Sequence, residues 1–305
     1  MAAAHQASDS GSPIHVAALV AYNGGAYNGF QLQANVPTVQ GELETALALC
    51  VGIQLETGAA VPYRVVGSGR TDTGVHARGQ VIATQLPWRH DLAVLMRAWN
   101  AHLPADIVIR RLVEASPDFH PRFSALSRTY RYTVTTTSPQ GLAQTASQGN
   151  VNSEERLPRS PLTASTAFHE PRMLDLTAMN LAAALLVGEH DFATFGRPPQ
   201  GVNTVRTVFQ ADWQEVCTNL PELGGRGQHT PQRCLVFTIC ANAFLQRMVR
   251  NLVGTMVEVG LGQRTPEDVA VALAAKERSR SASPALPNGL ILEVVDYPEK
   301  VDPFL

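Results

Sequence analysis

Residues 67–81 read GSGRTDTGVHARGQV, and this polar stretch separates two short apolar segments, Tyr63–Gly67 and Gln80–Leu86. The apolar segments predict two strands, so the polar residues between them form a strand-to-strand loop. The loop carries one carboxylate among cations and glycines, and its ionisable side chains are Arg70, Asp72, His76 and Arg78. Nearby positive charge favours the ionised form of a carboxylate, and glycines let a substrate approach the backbone closely. The loop is therefore a candidate catalytic segment, although residues 71–74 also fit a simple Asx-type turn.

Strands and helices alternate on either side of this loop, in two successive sets. The first set has predicted elements at 14–22, 38–51, 91–102 and 107–112. The second set has them at 129–135, 174–187, 205–213, 235–240, 243–259, from 265 onward and at 290–295. Apolar residues recur at helical spacing in the helices and alternate in the strands, as at Tyr130, Tyr132 and Val134. We therefore expect an α+β (mixed α/β) fold made of two similar halves.

The predicted halves are an N-terminal one, 14–115, which carries the candidate loop, and a C-terminal one, 116–298. Residues 137–171 are rich in Ser, Thr, Gln, Pro and Asn and lack an apolar period, which predicts a mobile insertion in the second half. Residues 1–13 predict a disordered tail, and residues 299–305 predict a short C-terminal tail.

Charge is unevenly distributed along the chain, although the formal net charge is only −2. Residues 64–131 hold ten Arg against five acidic residues, and residues 226–280 hold eight basic against four acidic residues. If the fold joins these two basic blocks, they form a surface suited to phosphates. The chain has no apolar run of membrane-spanning length and no recognisable leader, which favours a cytoplasmic protein without a membrane partner. Its cysteines and histidines lack zinc-type spacing, so no zinc site is expected, and the sequence offers no obvious site for another metal or cofactor.

The chain resembles the tRNA pseudouridine synthase A family in a series of motifs that occur in the same order. The loop sequence GRTDTGVHARGQV, residues 69–81, is similar to the motif around that family's catalytic aspartate. Further similar motifs lie at Tyr22-Asn23-Gly24, 27–33, Val39-Gln40, 100–107, Phe119-His120-Pro121-Arg122-Phe123, Arg128-x-Tyr130-x-Tyr132, 188–195, 243–250, 284–292 and Val295-x-Tyr297. Departures from the family pattern occur at Asn23, Phe30, Pro121 and 196–203.

The resemblance implies an enzyme that isomerises uridine to pseudouridine in tRNA, at about positions 38–40 of the anticodon stem-loop. It implies that Asp72 is the catalytic carboxylate and that Arg250 is its cationic partner. Arg70 would fill the gap that the extruded base leaves in the RNA. Tyr130 would stack on the uracil, and Leu290 would form an apolar wall of the uracil pocket. Whether the carboxylate attacks C1′, attacks the ring or removes the C2′ proton stays open.

The expected partners follow from the same resemblance and from the chemistry of RNA. The family's fold implies antiparallel or mixed sheets that merge around a central RNA-binding cleft, with helices on the outer faces, in a homodimer. Structured RNA is bound largely through its phosphates and 2′-hydroxyls. Our candidates for contacts with the RNA backbone are therefore Arg78, His120 and Arg122.

Plainer interpretations of these residues remain open. Arg250 also fits a solvent-facing or phosphate-binding residue, Arg70 a loop salt bridge, and Tyr130 or Leu290 a core residue. Two other functions also remain, a catalytically silent RNA-binding or RNA-folding protein and a hydrolase of N-glycosidic bonds. The intact set of Asp72, Tyr130 and Arg250 counts against the first. The absence of a second acidic motif counts against the second.

Overall fold

A computed structural model describes residues 13–52, 63–137, 160–198, 201–216 and 232–305. The chain divides into two compact units, of which the first comprises Met1–Leu126 with Val294–Leu305 and the second comprises Ser127–Glu293. Each unit combines antiparallel strands with helices, which confirms the predicted α+β class. No helix in the described residues is long and apolar enough to traverse a bilayer. The predicted merging of the sheets and the predicted domain boundaries stay predictions.

The first unit is built on three antiparallel strands in the order β4-β1-β3, with β2 paired to β3. Its elements are β1 (Pro13–Tyr22), α1 (Val39–Cys50), β2 (Val66–Gly67), β3 (His76–Pro87), α2 (Leu92–His102) and β4 (Ile107–Glu114). The side chains of Thr38 and Asp91 start α1 and α2 by accepting backbone N–H groups of the first turn. The buried Trp99 joins the helices, because its indole N–H donates to Leu43 O over 3.0 Å.

The second unit orders its antiparallel strands β5-β9-β8-β7, and β6 pairs with β5 in parallel. Its elements are β5 (Ser127–Thr137), β6 (Phe168–Glu170), α3 (Leu176–Ala184), β7 (Gly188–Asp191), β8 (Val205–Val216), β9 (Gln232–Ala241), α4 (Met248–Gly260), α5 (Glu267–Ala275) and the start of β10 (Leu290–Asp296). Strand β5 buries Tyr130, Tyr132 and Val134 at alternate positions, which confirms the predicted strand face. Trp213 of β8 stacks on Phe237 of β9 with ring centroids 5.0 Å apart, in the core of this unit.

Residues 294–305 complete the first unit. Leu126 N donates to Asp296 O over 2.8 Å, and the Tyr297 hydroxyl donates to Pro121 O over 2.7 Å. The Tyr297 ring also packs edge-on against Phe119, with centroids 5.1 Å apart. The last turn of the C-terminal tail contacts β4, where the Arg111 guanidinium lies 5.5 Å from the Phe304 ring.

Two predicted element boundaries are wrong. The predicted loop at 67–81 ends early, because β3 begins at His76 and pairs with β1 from Ala77 onward. The helix predicted at 243–259 begins only at Met248. Arg247 adopts a left-handed φ of 62°, and the preceding residue pairs with Arg197, so residues 243–247 leave the helical path.

The predicted insertion at 137–171 contains regular structure at both of its ends. Thr137 is the last residue of β5, and residues 168–170 form β6 beside it. Glu170 is buried and accepts hydrogen bonds from Arg172 N and Nε. The expectation of an irregular segment is therefore wrong for these residues, whereas 138–159 lie outside the described residues.

Candidate active site

The loop between β2 and β3, residues 68–75, is held by the segment that follows β1. Phe30 N donates to Thr71 O over 3.1 Å, and Gly74 N donates to Tyr27 O over 3.3 Å. Val75 N donates to Asp72 O over 3.1 Å, which closes a turn around the candidate carboxylate. The motif at 22–33 and the loop motif, which are far apart in sequence, therefore form one local structure.

Two glycines of that segment are required by the close approach of the loop backbone. A Cβ atom at Gly24 would lie 2.0 Å from Val75 O, and one at Gly29 would lie 2.6 Å from Thr71 O. Real Cβ atoms do not come this close to another atom, and Gly29 also has a φ of +91° that side chains rarely adopt. A larger residue at either position would displace the loop that carries Asp72.

A buried polar network fixes the loop from the interior of the unit. The Tyr22 hydroxyl lies 2.8 Å from Thr71 Oγ1, and both side chains are buried. Gln80 is fully buried, donates from Nε2 to Gly69 O over 3.0 Å and accepts from Ser68 Oγ over 2.6 Å. Burial raises the pKa of Tyr22 to about 12, so its hydroxyl keeps its proton at neutral pH. The network therefore anchors the residues that immediately precede Asp72.

Side chains along the loop differ in exposure in a way that suits a reactive carboxylate. Thr71 is buried, Asp72 is half-buried and Arg70 is exposed. Hydrogen bonds of its backbone and its hydroxyl hold Thr71 in the interior, whereas its two neighbours, Arg70 and Asp72, retain contact with solvent. His76, which the sequence placed in the same loop, is instead buried in β3, where its Nδ1 accepts the N–H of Gly24 over 3.0 Å.

Tyr130, Arg250 and Leu290 lie in the second unit, on β5, α4 and the first residue of β10. Tyr130 is buried to 8% exposure and packs edge-on against Phe244, with ring centroids 5.1 Å apart. Arg250 Nε donates to Ala285 O over 2.7 Å, and Ala285 N donates back to Arg250 O over 2.9 Å.

The segment that contains Ala285 also joins β5 to β10. The Tyr132 hydroxyl donates to Leu286 O over 2.7 Å, and Gly289 packs against the Tyr132 ring so closely that a Cβ would lie 2.8 Å from it. Leu290, one residue further on, is 5% exposed. The strand, the helix and this segment are thus held together by direct contacts, and they carry the three candidate residues of this unit.

His120 and Arg122 lie in the turn after β4 and flank an exposed aromatic ring. Phe123 is 77% exposed, the His120 ring lies 4.3 Å from it, and the Arg122 guanidinium lies 5.6 Å from it. His120 Nδ1 accepts the N–H groups of Arg122 and Phe123 over 3.1 and 3.2 Å, so the neutral ring carries its proton on Nε2. An aromatic face beside a guanidinium and an imidazole is typical of surfaces that stack on nucleic-acid bases.

The structure therefore distributes the predicted site residues over both units. The first unit holds Arg70, Asp72, Arg78, His120 and Arg122. Arg70 and Asp72 share the loop, whereas Arg78 is exposed on β3, where its carbonyl accepts from Arg110 Nη1 over 3.3 Å. The catalytic and binding roles of all these residues stay predictions.

Sequence reasoning missed Tyr22, Gln80 and Phe123. Gln80 directly precedes the apolar run at 81–83, and a polar residue beside such a run was the available signal, because an amide that becomes buried must find hydrogen-bond partners. Phe123 lies inside the family-like motif at 119–123, but its exposure depends on the turn that follows β4, which the sequence does not define.

Comparison with known proteins agrees with these features. A family model described as tRNA pseudouridine synthase matches residues 18–124 and 182–298, which include Asp72, Arg250 and Leu290, while Tyr130 lies between the matched segments. The tRNA pseudouridine synthase A of Chloroflexus aurantiacus is 39% identical over 93% of this chain and 88% of its own length. The proteins of the same name from Roseiflexus castenholzii and Streptomyces griseus subsp. griseus are 38% and 37% identical, over 93% and 95% of this chain and 91% of each relative.

Among solved structures, a dye-decolorizing protein from V. cholerae aligns over 83% of this chain and 86% of its own, with 12% identity and a TM-score of 0.20. A similarity at that level carries no argument about this fold. The curated relatives, which align over 93–95% of this chain, and the family match do carry such an argument. The chain belongs to the tRNA pseudouridine synthases, a family of isomerases.

Proposed function

We propose that this protein converts uridine to pseudouridine in tRNA and that Asp72 is the carboxylate that acts on the target nucleotide. The reaction breaks the bond between C1′ and N1, turns the uracil and joins C1′ to C5. The C5 proton is lost and N1 gains one, so no atom is added overall. A carboxylate near the anomeric carbon is the group that such chemistry requires.

The observation that carries this proposal is the anchoring of the loop. Thr71 is fixed by one backbone hydrogen bond and one buried side-chain hydrogen bond, and the next residue, Asp72, keeps partial access to solvent. A group held on a rigid support loses little freedom when substrate binds, which is how positioning lowers an activation barrier. The aspartate thus lies at the start of a turn whose backbone is held by hydrogen bonds, which suits a group that must be positioned precisely.

For Arg250 we propose the role of the cation that favours the ionised carboxylate. Its guanidinium is anchored through Nε to Ala285 O, so its position is defined by the fold of its own unit. Tyr130 is proposed to stack on the uracil, with Phe244 fixing the plane of its ring. Leu290 is proposed as an apolar wall for the base, and Arg70 as the side chain that fills the vacated stack.

Three further residues are proposed to hold the RNA. Arg78 and Arg122 bring positive charge, and the imidazole of His120 offers its Nε2–H to a phosphate or 2′-hydroxyl. The exposed Phe123 ring, which lies beside His120 and Arg122, supplies an aromatic surface on which an unpaired base could stack.

The finer substrate is proposed from the family resemblance alone. The targets are uridines at about positions 38–40 of the anticodon stem-loop, and the bases would have to be extruded from their neighbours to react. We also propose that the protein acts in the cytoplasm as a homodimer, which light scattering coupled to size-exclusion chromatography would test.

The test compares Asp72→Asn with the parent protein on an unmodified tRNA transcript, with pseudouridine mapped by mass spectrometry. We expect no product from Asp72→Asn and a tRNA affinity within a few fold of the parent, because phosphate contacts dominate binding. Asp212→Asn, which removes a half-buried carboxylate on β8, is the matched control and should keep full turnover. Robust turnover by Asp72→Asn would refute the assignment, and free uracil among the parent's products would favour the hydrolase instead.

A further inference from the structure

Three arginines from three separate segments of the second unit converge at the start of α4. Arg197 lies in the loop after β7, Arg247 immediately precedes α4, and Arg278 opens a short 3₁₀ turn after α5. All three side chains are exposed. We refer to Arg197, Arg247 and Arg278 as the arginine cluster.

The loop that carries Arg197 is fixed to its surroundings by hydrogen bonds from several segments. Arg278 Nη1 donates to Thr194 O over 2.6 Å, so one member of the cluster is itself part of this support. Asn251 Nδ2 of α4 donates to Phe195 O over 2.5 Å, and Gln246 N donates to Arg197 O over 2.8 Å.

Close packing holds the same loop against the residues before α4. A Cβ atom at Gly196 would lie 2.4 Å from Leu245 Cβ and 3.1 Å from Gln246 O, so the two backbones touch at this point. Arg197 pairs with Gln246 in an antiparallel bridge, so it lies opposite the residue that precedes Arg247, and both arginines lie within electrostatic range of Arg278. The cluster is therefore defined by rigid packing and not by chance positions of long side chains.

The charges of the cluster are not neutralised within the described part of the chain. None of the three arginines forms an ion pair with a described carboxylate, and the acids nearest in sequence are already engaged. Asp191 pairs with Lys276 over 3.1 Å, and Glu277 pairs with Arg280 over 3.9 Å. Partial burial, together with the positive charges of Arg197 and Arg247, lowers the pKa of Arg278. Holding like charges together is unfavourable unless an anion binds there.

Arg247 also carries backbone strain at this point. Its φ of 62° lies in the left-handed region, which a residue with a side chain adopts less readily than glycine. The same residue starts α4 without capping the helix through its own side chain. A cation at the N-terminus of a helix is unfavourable, since the helix dipole is positive there. Arginine at this position thus opposes local stability twice.

We propose that the arginine cluster binds phosphate groups of the RNA strand next to the target uridine. Arg247 lies three residues before Arg250, or about one helical turn, so the cluster adjoins a residue proposed to act in catalysis. Guanidinium groups match phosphate oxygens in bidentate geometry, and several in a row suit a polyanionic backbone. The cluster belongs to the second unit, whereas Arg78, His120 and Arg122 belong to the first. The target uridine is taken from the proposed function, on which this inference rests.

The experiment measures binding of a fluorescein-labelled tRNA transcript by anisotropy across a series of salt concentrations. The variant is Arg197→Gln combined with Arg247→Gly, which removes two charges and relieves the left-handed strain. We expect the salt slope of log K to fall by roughly 0.7–0.9 for each lost phosphate contact, and the affinity at 0.1 M salt to fall about five- to eightfold for each. Thermal unfolding should show no loss of stability for Arg247→Gly, because glycine prefers this backbone conformation.

Arg280→Gln is the matched control, because Arg280 lies two residues from Arg278, is 60% exposed and is paired with Glu277. Its tRNA affinity should stay within twofold of the parent. An unchanged affinity and salt slope in the double variant would refute phosphate binding by the arginine cluster, without bearing on the role proposed for Asp72. Conversely, the double variant could lower the salt slope as expected while the parent protein forms no pseudouridine. That result would refute the proposed function and leave phosphate binding by the arginine cluster intact.

Discussion

Replacing Tyr22 with phenylalanine removes a single oxygen atom from the network that supports the candidate catalytic loop. The hydroxyl lies 2.8 Å from Thr71 Oγ1, and both groups are buried. Without it, the buried Thr71 hydroxyl loses the partner that it has in the folded protein. Leaving a buried polar group unsatisfied costs about 1–3 kcal/mol, and we expect a loss near 2 kcal/mol in the free energy of unfolding.

The loss should also appear in catalysis, since Thr71 directly precedes Asp72. Backbone hydrogen bonds from Phe30 and Val75 still define the general course of the loop, so we expect displacement rather than collapse. A misplacement well below 1 Å is compatible with a roughly tenfold fall in kcat, or about 1.4 kcal/mol of activation free energy. The KM for tRNA should change less than twofold, because the phosphate contacts lie elsewhere. Single-turnover kinetics on a tRNA transcript would measure the rate directly.

Tyr27→Phe is the matched control for this change. Tyr27 is also a buried tyrosine of the first unit, but its hydroxyl donates to Asp106 Oδ1 over 2.6 Å and does not reach the loop. We expect it to lower the melting temperature by a similar amount, roughly 4–8 °C for about 2 kcal/mol, without a comparable loss of kcat. If both variants lose stability equally and neither loses kcat, the support that we assign to Tyr22 does not act on catalysis.

Three further changes test other features. Gly24→Ala should destabilise the protein and sharply reduce turnover, because its Cβ would lie 2.0 Å from a loop carbonyl oxygen. Gly69→Ala is the control and should be tolerated, because a Cβ there would have nothing within 4 Å. Turnover and melting temperature check both variants. Phe123→Ala should weaken tRNA binding roughly tenfold if a base stacks there, and Phe123→Tyr should restore it in the same anisotropy assay. A hydrogen bond from Thr204 and an ion pair with Lys276 lower the pKa of Asp191. The ionised carboxylate therefore stabilises the folded protein above the unfolded pKa of about 3.9, and this stabilisation is lost as the pH falls through the lower pKa of the folded state. Asp191→Asn should therefore be less stable than the parent at pH 7 and lose less stability on acidification, as followed by urea unfolding.

Local patterns predicted most of the elements, because each depends on signals a few residues apart. The cap at Asp91 defined α2, and the alternation around Tyr132 defined the buried face of β5. The start of α4 was missed for a physical reason. Residues 243–247 have a helical pattern, but pairing of Gln246 with the loop at Arg197 is a tertiary contact that no local pattern contains.

The candidate site shows the same division between local and long-range information. Family resemblance indicated Asp72 and the residues around it, and the chain belongs to that family. What holds the loop depends on contacts with Tyr22 and Phe30, some forty to fifty residues earlier, which no local pattern reveals. The arginine cluster was hidden for another reason. Arg197 lies in a block of acidic net charge, so a count along the sequence separates residues that the fold brings together.

Closure of the first unit by residues 294–305 has a consequence for synthesis on the ribosome. The partners of Leu126 and Pro121 are Asp296 and Tyr297, so about 170 intervening residues must be translated before these bonds form. At roughly 5–20 residues per second, that delay is about 8–34 s. During this time the translated part of the first unit lacks its contacts with residues 294–305, and the surface that they cover stays open to chaperones. A nascent chain halted just before residue 294 should therefore be more sensitive to proteases around 119–126 than one that has emerged fully.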